Sequence, residues 1–246
     1  YAACKATVKV GDGNEITLHE QTNYPFEETI RFTVNTPKAV SFPFYLRIPS
    51  WTEGATIFVN GKKVAANPEA GQYACINREW KVEIQLPMQL SMRTWQVNKN
   101  SVSVDYGPLT MSLKIDEDYV KKDSRATAIG DSKWQEGADA SQWPTYEIYA
   151  KTPWNYALVL GKNDPLKDFK VVHKEWPADN FPFTVASTPI EVKAIGRKVP
   201  SWVIDQYDLC SELPEMDAPK GEKEEITLIP MGAARLRVSA FPNTRE

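Results

Sequence analysis

The sequence predicts an all-β protein built as two antiparallel β-sandwich domains, jelly-roll-like in arrangement. Three observations predict it. Apolar and polar residues alternate in short runs through most of the chain. Turn residues punctuate those runs about every ten positions, the spacing of short antiparallel strands. No window of about 12 residues carries a helical period.

The elements follow in order. "GDG" at 11–13 reads as a hairpin turn rather than a phosphate loop. Ile16 and Leu18 mark the strand after it, with a turn near Tyr24-Pro25-Phe26, and Ile30, Phe32 and Val34 mark the next. In "KAVSFPFYLRIPSW", Val40, Phe42, Phe44, Leu46 and Ile48 share one face, while Tyr45 and Arg47 take the other. Pro49 has no N–H to give a ladder and ends the pairing. Ala55, Ile57 and Val59 then alternate with Thr56 and Phe58 up to Asn60-Gly61, a dipeptide that tolerates positive φ and turns a hairpin. Lys63-Val64 begins the return. "GQYACINREW" and "VEIQLPMQL", with Val82, Ile84, Leu86 and Met88, add two strands.

A domain boundary is placed between residues 1–97 and 98–246. "SVSVDYGPLTMSLKI" reads as a strand pair broken at Gly107-Pro108. A polar insertion of mixed charge spans about 116–154, with a short helix expected near 117–123. Strand pattern returns in "NYALVLG", "FTVAS", "IEVKAIG" and "EITLIP…ARLRVSAF", and "PEMDAPKGEKEE" is a surface loop.

Composition narrows the function classes. The 246 residues, 42% hydrophobic, suffice for a substantial core. A net charge of -3 offers no basic footprint for nucleic acid. No run approaches the roughly 18 apolar residues of a spanning helix. The start, "YAACKATVKV", lacks the charged and apolar regions of a signal peptide and reads as an entry from the middle of a longer chain.

Catalytic motifs are absent from the sequence. There is no HExxH, CxxC, phosphate loop or dinucleotide fingerprint. His19 and His173 are the only histidines, and neither stands near a Ser or Cys partner in a known pattern. Cys4, Cys75 and Cys210 are too widely spaced for a disulfide framework or a zinc motif, so they are expected to be small buried thiols. Carboxylates gather at Glu27-Glu28, Asp116-Glu117-Asp118 and Glu222 to Glu225. A glycosidase needs two of them about 5–10 Å apart across one bond, and no spacing rule pairs any of these. The sequence therefore assigns no catalytic, cofactor-binding or metal residue.

Eight Trp and ten Tyr suit either a sugar-handling surface or a large β core. Trp51 is read as a ring that stacks on sugar or as a plug at the end of a core, the general burial of Trp favouring the plug. Trp51, Trp95, Trp134, Trp143 and Trp154 are candidates for stacking on glycans. Trp134, Trp143 and Trp154, in and beside the polar insertion, are the retained set; the alternative is that they anchor that loop to the sheet.

Four segments in order, "LHEQTNYPFEETIRFTV", "FYLRIPSWTEGATIFVNGKKV" with "GQYACINREW", "SVSVDYGPLTMSL" and "ITLIPMGAARLRVSAFP", resemble the C-terminal half of glycoside hydrolase family 127, whose members include β-L-arabinofuranosidases. "TPWNYALVL" is similar to a segment of the larger members. The resemblance implies a catalytic (α/α)6 barrel followed by β-sandwich domains, with a cysteine nucleophile beside a zinc ion held by cysteines and a glutamate. Those residues map to no position here, so the resemblance implies a non-catalytic region that braces a barrel carried elsewhere in the polypeptide. No cofactor is expected in this segment, and zinc is expected in the barrel. Plant-type glycans are the implied external partner, with no nucleic acid or membrane, and the family's polysaccharide chemistry suggests a periplasmic or secreted setting. One departure stands out: the family's Gly-Asp turn is missing where Trp80 runs almost directly into Val82. A carbohydrate-binding module using exposed Trp residues is the alternative function.

Overall fold

The computed structural model describes residues 1–64, 68–78, 81–127, 139–207, 209–218 and 220–246. The chain is all-β and groups into two units. One comprises Tyr1–Ser91 with Asp105–Leu109, and the other Met92–Val104 with Thr110–Glu246.

The first unit holds β1 (Cys4–Val10), β2 (Asn14–Gln21), β3 (Thr29–Asn35), β4 (Phe42–Arg47), β5 (Thr56–Val59), β6 (Lys62–Lys63), β7 (Tyr73–Arg78) and β8 (Lys81–Gln85). A six-stranded sheet runs β1-β2-β3-β8-β5-β6, and β4 pairs with β7 in a separate two-stranded sheet. Ile30 and Phe32 of β3, Ile57 and Val59 of β5 and Ile84 of β8 join one core cluster with Leu46 of β4 and Ala74 and Ile76 of β7. The two sheets therefore face each other across a shared apolar layer, which is a sandwich. Ile30 and Ile84 are fully buried, each contributing about 2–3 kcal/mol by transfer from water.

The predicted turns form for the predicted reasons. Asn60 and Gly61 both take positive φ, 52° and 77°, as the tight turn between β5 and β6 requires. Gly11 accepts from Asn14 N–H at 3.0 Å to close the turn between β1 and β2. Trp51 stacks on Tyr24 with ring centroids 6.4 Å apart and packs against the core cluster, so its ring serves the sandwich. Trp80 lies outside the described residues; Val82 already pairs with Phe32 and Val59 within the sheet.

The second unit holds β9 (Leu90–Trp95), β10 (Ser101–Tyr106), β11 (Leu109–Leu113), β12 (Glu117–Lys122), β13 (Thr145–Ala150), β14 (Tyr156–Leu160), β15 (Lys170–His173), β16 (Ile190–Lys198), β17 (Lys223–Pro230) and β18 (Asn243–Arg245), with the first strands and the β10–β11 turn shared with the first unit. Its main sheet runs β18-β14-β16-β17-β11-β10-β9, and β15 pairs with β16. Phe241 exchanges two 2.9 Å backbone hydrogen bonds with Val102 of β10, while the next carbonyl, Pro242, accepts from Leu158 of β14 at 2.9 Å. β10 and β14 stand four places apart in the sheet, so one short segment reaches both only because the sheet curls. All five residues of β14 are buried, which means both its faces are covered.

Four expectations are corrected. Residues 117–122 form strand β12 rather than a helix, because they pair residue for residue with β13 and gain the Lys122–Glu147 ion pair at 2.9 Å; the helix, Ser124–Thr127, is one turn beyond them. "FTVAS" is a turn closed by Thr188 N–H on the Thr184 carbonyl at 3.1 Å. "ARLRVSAF" follows a 3-10 turn at Met231–Ala233 and runs as a strap, its backbone answering Ser112, Leu113 and Val102 rather than a neighbouring strand throughout. The three cysteines are exposed free thiols rather than buried ones. Cys75 pairs with Tyr45 on the outward face of β4 and β7, where alternation puts it opposite the core.

Candidate functional site

The polar insertion becomes a two-stranded ribbon, β12 and β13, that leaves the main sheet of the second unit through a narrow neck. Two hydrogen bonds close the neck: Asp116 N–H to Thr152 Oγ1 at 3.0 Å, and Lys151 N–H to the Asp116 carbonyl at 2.7 Å. Glu117 ties it to the strap, accepting from the backbone N–H groups of Arg235 at 2.8 Å and Leu236 at 3.2 Å. Lys151 and Asp118 add an ion pair at 3.1 Å. These bonds let two strands of mixed polarity stand away from a core that would otherwise have to absorb them.

Alternation sorts the ribbon side chains. Glu117, Tyr119 and Lys121 share a face with Tyr146 and Ile148, and Asp118, Val120 and Lys122 share the other with Glu147 and Tyr149. Tyr119 and Tyr146 meet edge to face at 6.1 Å, yet both stay about half exposed. Two of the three exposed tyrosine hydroxyls have a carboxylate on their own strand. Tyr119 donates to Glu117 at 2.5 Å, and Tyr149 to Glu147 at 2.6 Å. The Glu117 bond pushes the Tyr119 hydroxyl above its ordinary pKa and fixes where the ring points.

Two clefts open beside the neck. One, of about 360 Å³, is lined by Lys114, Asp116, Thr152, Tyr156, Glu225 and Thr227 among others. The second, of about 570 Å³, is lined by Lys114, Asp116, Tyr119, Lys151, Thr184 and Val185 among others. Lys114 and Asp116 line both, so the two clefts adjoin. Lys114 is already engaged by Glu191 at 3.0 Å, and Lys151 by Asp118. Neither the Asp116 nor the Glu225 carboxylate has a hydrogen bond or ion pair among the described residues. What this arrangement offers a ligand is one exposed aromatic ring, Tyr119, beside the buried Tyr156, with small hydroxyl groups and unfilled acceptor oxygens.

Next to the clefts lies a charge cluster that is already complete. Glu191, 7% exposed, faces Lys114 at 3.0 Å, Lys174 at 3.2 Å and Lys193 at 3.5 Å. Burial works against its ionised form, but the bonds from Lys114 and Lys174 prevail and hold the carboxyl at about 2.

The sequence-predicted stacking residues scatter. Trp143 is 68% exposed, its backbone carbonyl held by the Ser124 hydroxyl while its ring meets solvent. Trp154 instead crosses Trp202 edge to face at 5.1 Å within a core cluster, so most of its ring is spent on packing. Trp134 lies outside the described residues. Trp95 bonds Ser103 Oγ through its indole N–H at 2.9 Å and lies under the Arg93 guanidinium. The sequence reading missed Tyr119, Tyr146 and Tyr149, because hairpin arms more than twenty residues apart carry no short turn signal; the alternation in "TYEIYA" was the available clue.

The zinc centre implied by the family resemblance does not fit these residues. Among the described residues no three His, Cys, Asp or Glu side chains gather as a ligand set, and Cys4, Cys75 and Cys210 are separate exposed thiols. Among the described residues no helix is long and apolar enough to cross a membrane.

Residues 1–92 match the family described as Beta-L-arabinofuranosidase, GH127 middle domain. No curated protein matches the chain. Among the solved structures that share its fold are three glycoside hydrolases. A protein described as a glycoside hydrolase is 21% identical with a TM-score of 0.60, over 100% of this chain and 35% of that one. A GH127 beta-L-arabinofuranosidase from Geobacillus stearothermophilus T6 is 22% identical with a TM-score of 0.60, over 99% of this chain and 33% of that one. A GH127 beta-arabinofuranosidase is 19% identical with a TM-score of 0.59, over 99% of this chain and 34% of that one. The chain spans about a third of the length of these proteins. The family match is confined to residues 1–92, and the chain as a whole has the fold of the matching third of those solved proteins.

Proposed function

We propose that this chain is the non-catalytic accessory region of a β-L-arabinofuranosidase-like glycoside hydrolase, bracing a catalytic barrel carried elsewhere in the same polypeptide. One observation carries the reading: solved GH127 structures match essentially all of this chain with only a third of their own length. The exposed, separate cysteines agree with it, since they offer neither a zinc ligand set nor a thiolate activated by one. The cysteine nucleophile and zinc of the family belong, on this reading, to the barrel. The test is to assay the 246-residue chain and its full polypeptide on an aryl β-L-arabinofuranoside. The full polypeptide is expected to hydrolyse it and this chain is not; turnover by this chain overturns the reading.

A second reading, glycan binding by the accessory region, is favoured by the 68% exposure of Trp143 and by the three half-exposed tyrosines of the ribbon. Aromatic rings held open to solvent on a rigid β element suit the apolar faces of sugars. Retention of the chain on immobilised plant-type polysaccharide tests it, and passage through unretarded counts against it.

A further inference from the structure

We propose that the two adjoining clefts at the neck of the ribbon are a binding site for an uncharged, hydroxyl-rich glycan, with Tyr119 as the stacking ring and Asp116 and Glu225 as acceptors of sugar hydroxyls. The proposal rests on the glycan-binding reading but moves the site from the exposed tryptophans to these clefts.

The chemistry of the lining selects the ligand. Both ammonium groups in the clefts already face a carboxylate, Lys114 facing Glu191 and Lys151 facing Asp118. The capacity with no partner at all among the described residues is acceptor capacity, on Asp116 and Glu225, while each ammonium keeps further donors for a ligand's oxygens. A ligand that fills it must bring donors. A phosphate, sulfate or uronate brings acceptors and negative charge, and meets Asp116, Glu117 and Glu225 in the same clefts. A neutral sugar brings hydroxyl donors and, on the ring faces, the C–H surface that an aromatic side chain covers.

The geometry is prepared for it. Tyr119 cannot swing freely, because its hydroxyl is bound to Glu117, and Glu117 is bound to the backbone of the strap. A ring already fixed loses little freedom on binding. Asp116 is fixed by its own backbone, through Thr152 and Lys151. Thr152, Thr184 and Thr227 also line the clefts, their hydroxyls held by Asp116 N–H, Ser187 and Lys193, and the side toward solvent is open, as a chain of sugars needs.

The experiment is an isothermal titration of the 246-residue chain with arabinopentaose and cellopentaose as neutral probes and pentagalacturonate as the anionic one. Binding of at least one neutral probe is expected, with pentagalacturonate at least tenfold weaker. Tyr119→Ala is expected to raise Kd at least tenfold, and Asp116→Asn with Glu225→Gln about threefold or more, while Trp143→Ala leaves it unchanged. Tyr119→Phe keeps the ring but loses the bond to Glu117, so it is expected to raise Kd less than Tyr119→Ala; a Tyr119→Phe protein that loses all neutral binding overturns the ring's role, which keeps the test decisive if Tyr119→Ala fails to fold. Neutral binding that survives Tyr119→Ala and disappears with Trp143→Ala overturns this site but leaves the glycan-binding reading standing. Equal or stronger binding of pentagalacturonate overturns the assignment of ligand class. No binding of any probe overturns both.

Discussion

Lys114, the residue after β11, donates to Glu191 of β16 at 3.0 Å although β17 lies between those two strands in the sheet. Long side chains reach across a strand on the face that Glu191 shares with Lys193, and Lys174 arrives from the end of β15. Three ammonium groups thus surround one carboxylate, and each lysine keeps about a third of its side chain in water.

That cluster makes stability depend on pH. The carboxyl of Glu191 is held at about 2, below the value of about 4.3 for an unfolded glutamate. Its contribution is therefore complete above about pH 5 and is lost as the pH falls toward about 2. Glu191→Gln is expected to lower the unfolding free energy at pH 7 by roughly 2 kcal/mol and to flatten the pH dependence between about 5 and 2. Urea titrations of both proteins across that range check it, and an unchanged acid limb refutes it.

Two glycines should respond very differently to alanine. A Cβ on Gly161, at the end of β14, would lie 2.1 Å from the backbone oxygen of Asp164, whose turn is held by its own bonds to Leu166 and Lys167. Gly161→Ala is expected to cost at least about 2–3 kcal/mol, since backbone must move. A Cβ on Gly61 meets open space, so Gly61→Ala costs only the strain of positive φ, about 1 kcal/mol. Thermal melts should rank Gly161→Ala well below Gly61→Ala, and the reverse order would show the turn at 162–168 to be soft.

Trp154 and Trp143 separate packing from exposure. Trp154→Ala removes the edge-to-face partner of buried Trp202 and is expected to cost about 3 kcal/mol. Trp143→Ala, whose ring is largely in solvent, should stay within about 0.5 kcal/mol of the parent. Denaturant midpoints decide between them. A marginal effect of Trp154→Ala would make its ring available for a ligand after all.

Asn155 tests how the segment after β16 is held. Its amide donates to the carbonyls of Val199 and Trp202, both at 3.1 Å. Asn155→Ala leaves the Trp202 carbonyl without its donor and the Val199 carbonyl with the Trp202 N–H alone, and is expected to cost about 2 kcal/mol. Hydrogen exchange should show faster opening of the Trp202 amide, which bonds the Val199 carbonyl, with little change in the first unit.

Much of the fold was legible in local pattern. Period two placed Leu46, Ile48, Ile57 and Val59 on buried faces, and Asn60-Gly61 identified its own turn, because both signals reside within a few residues. The all-β class followed from many such local signals agreeing. Tertiary structure decided the rest. Residues 117–122 became a strand only through pairing with Thr145–Ala150, and "ARLRVSAF" became a strap because the curled sheet left Val102, Ser112 and Leu113 for it to bond. Neither outcome can be read from residues adjacent in sequence. The candidate site was less visible still: Asp116, Tyr119, Thr184 and Glu225 come from segments brought together by that curl and by the neck of the ribbon. The sequence by itself determined which residues share a face along each strand, since alternation is a property of the backbone; that both faces of β14 are covered was decided by the tertiary structure. Which strands meet, and therefore which side chains share a cleft, was set by long-range pairing, whose energy appears only once the chain has closed on itself.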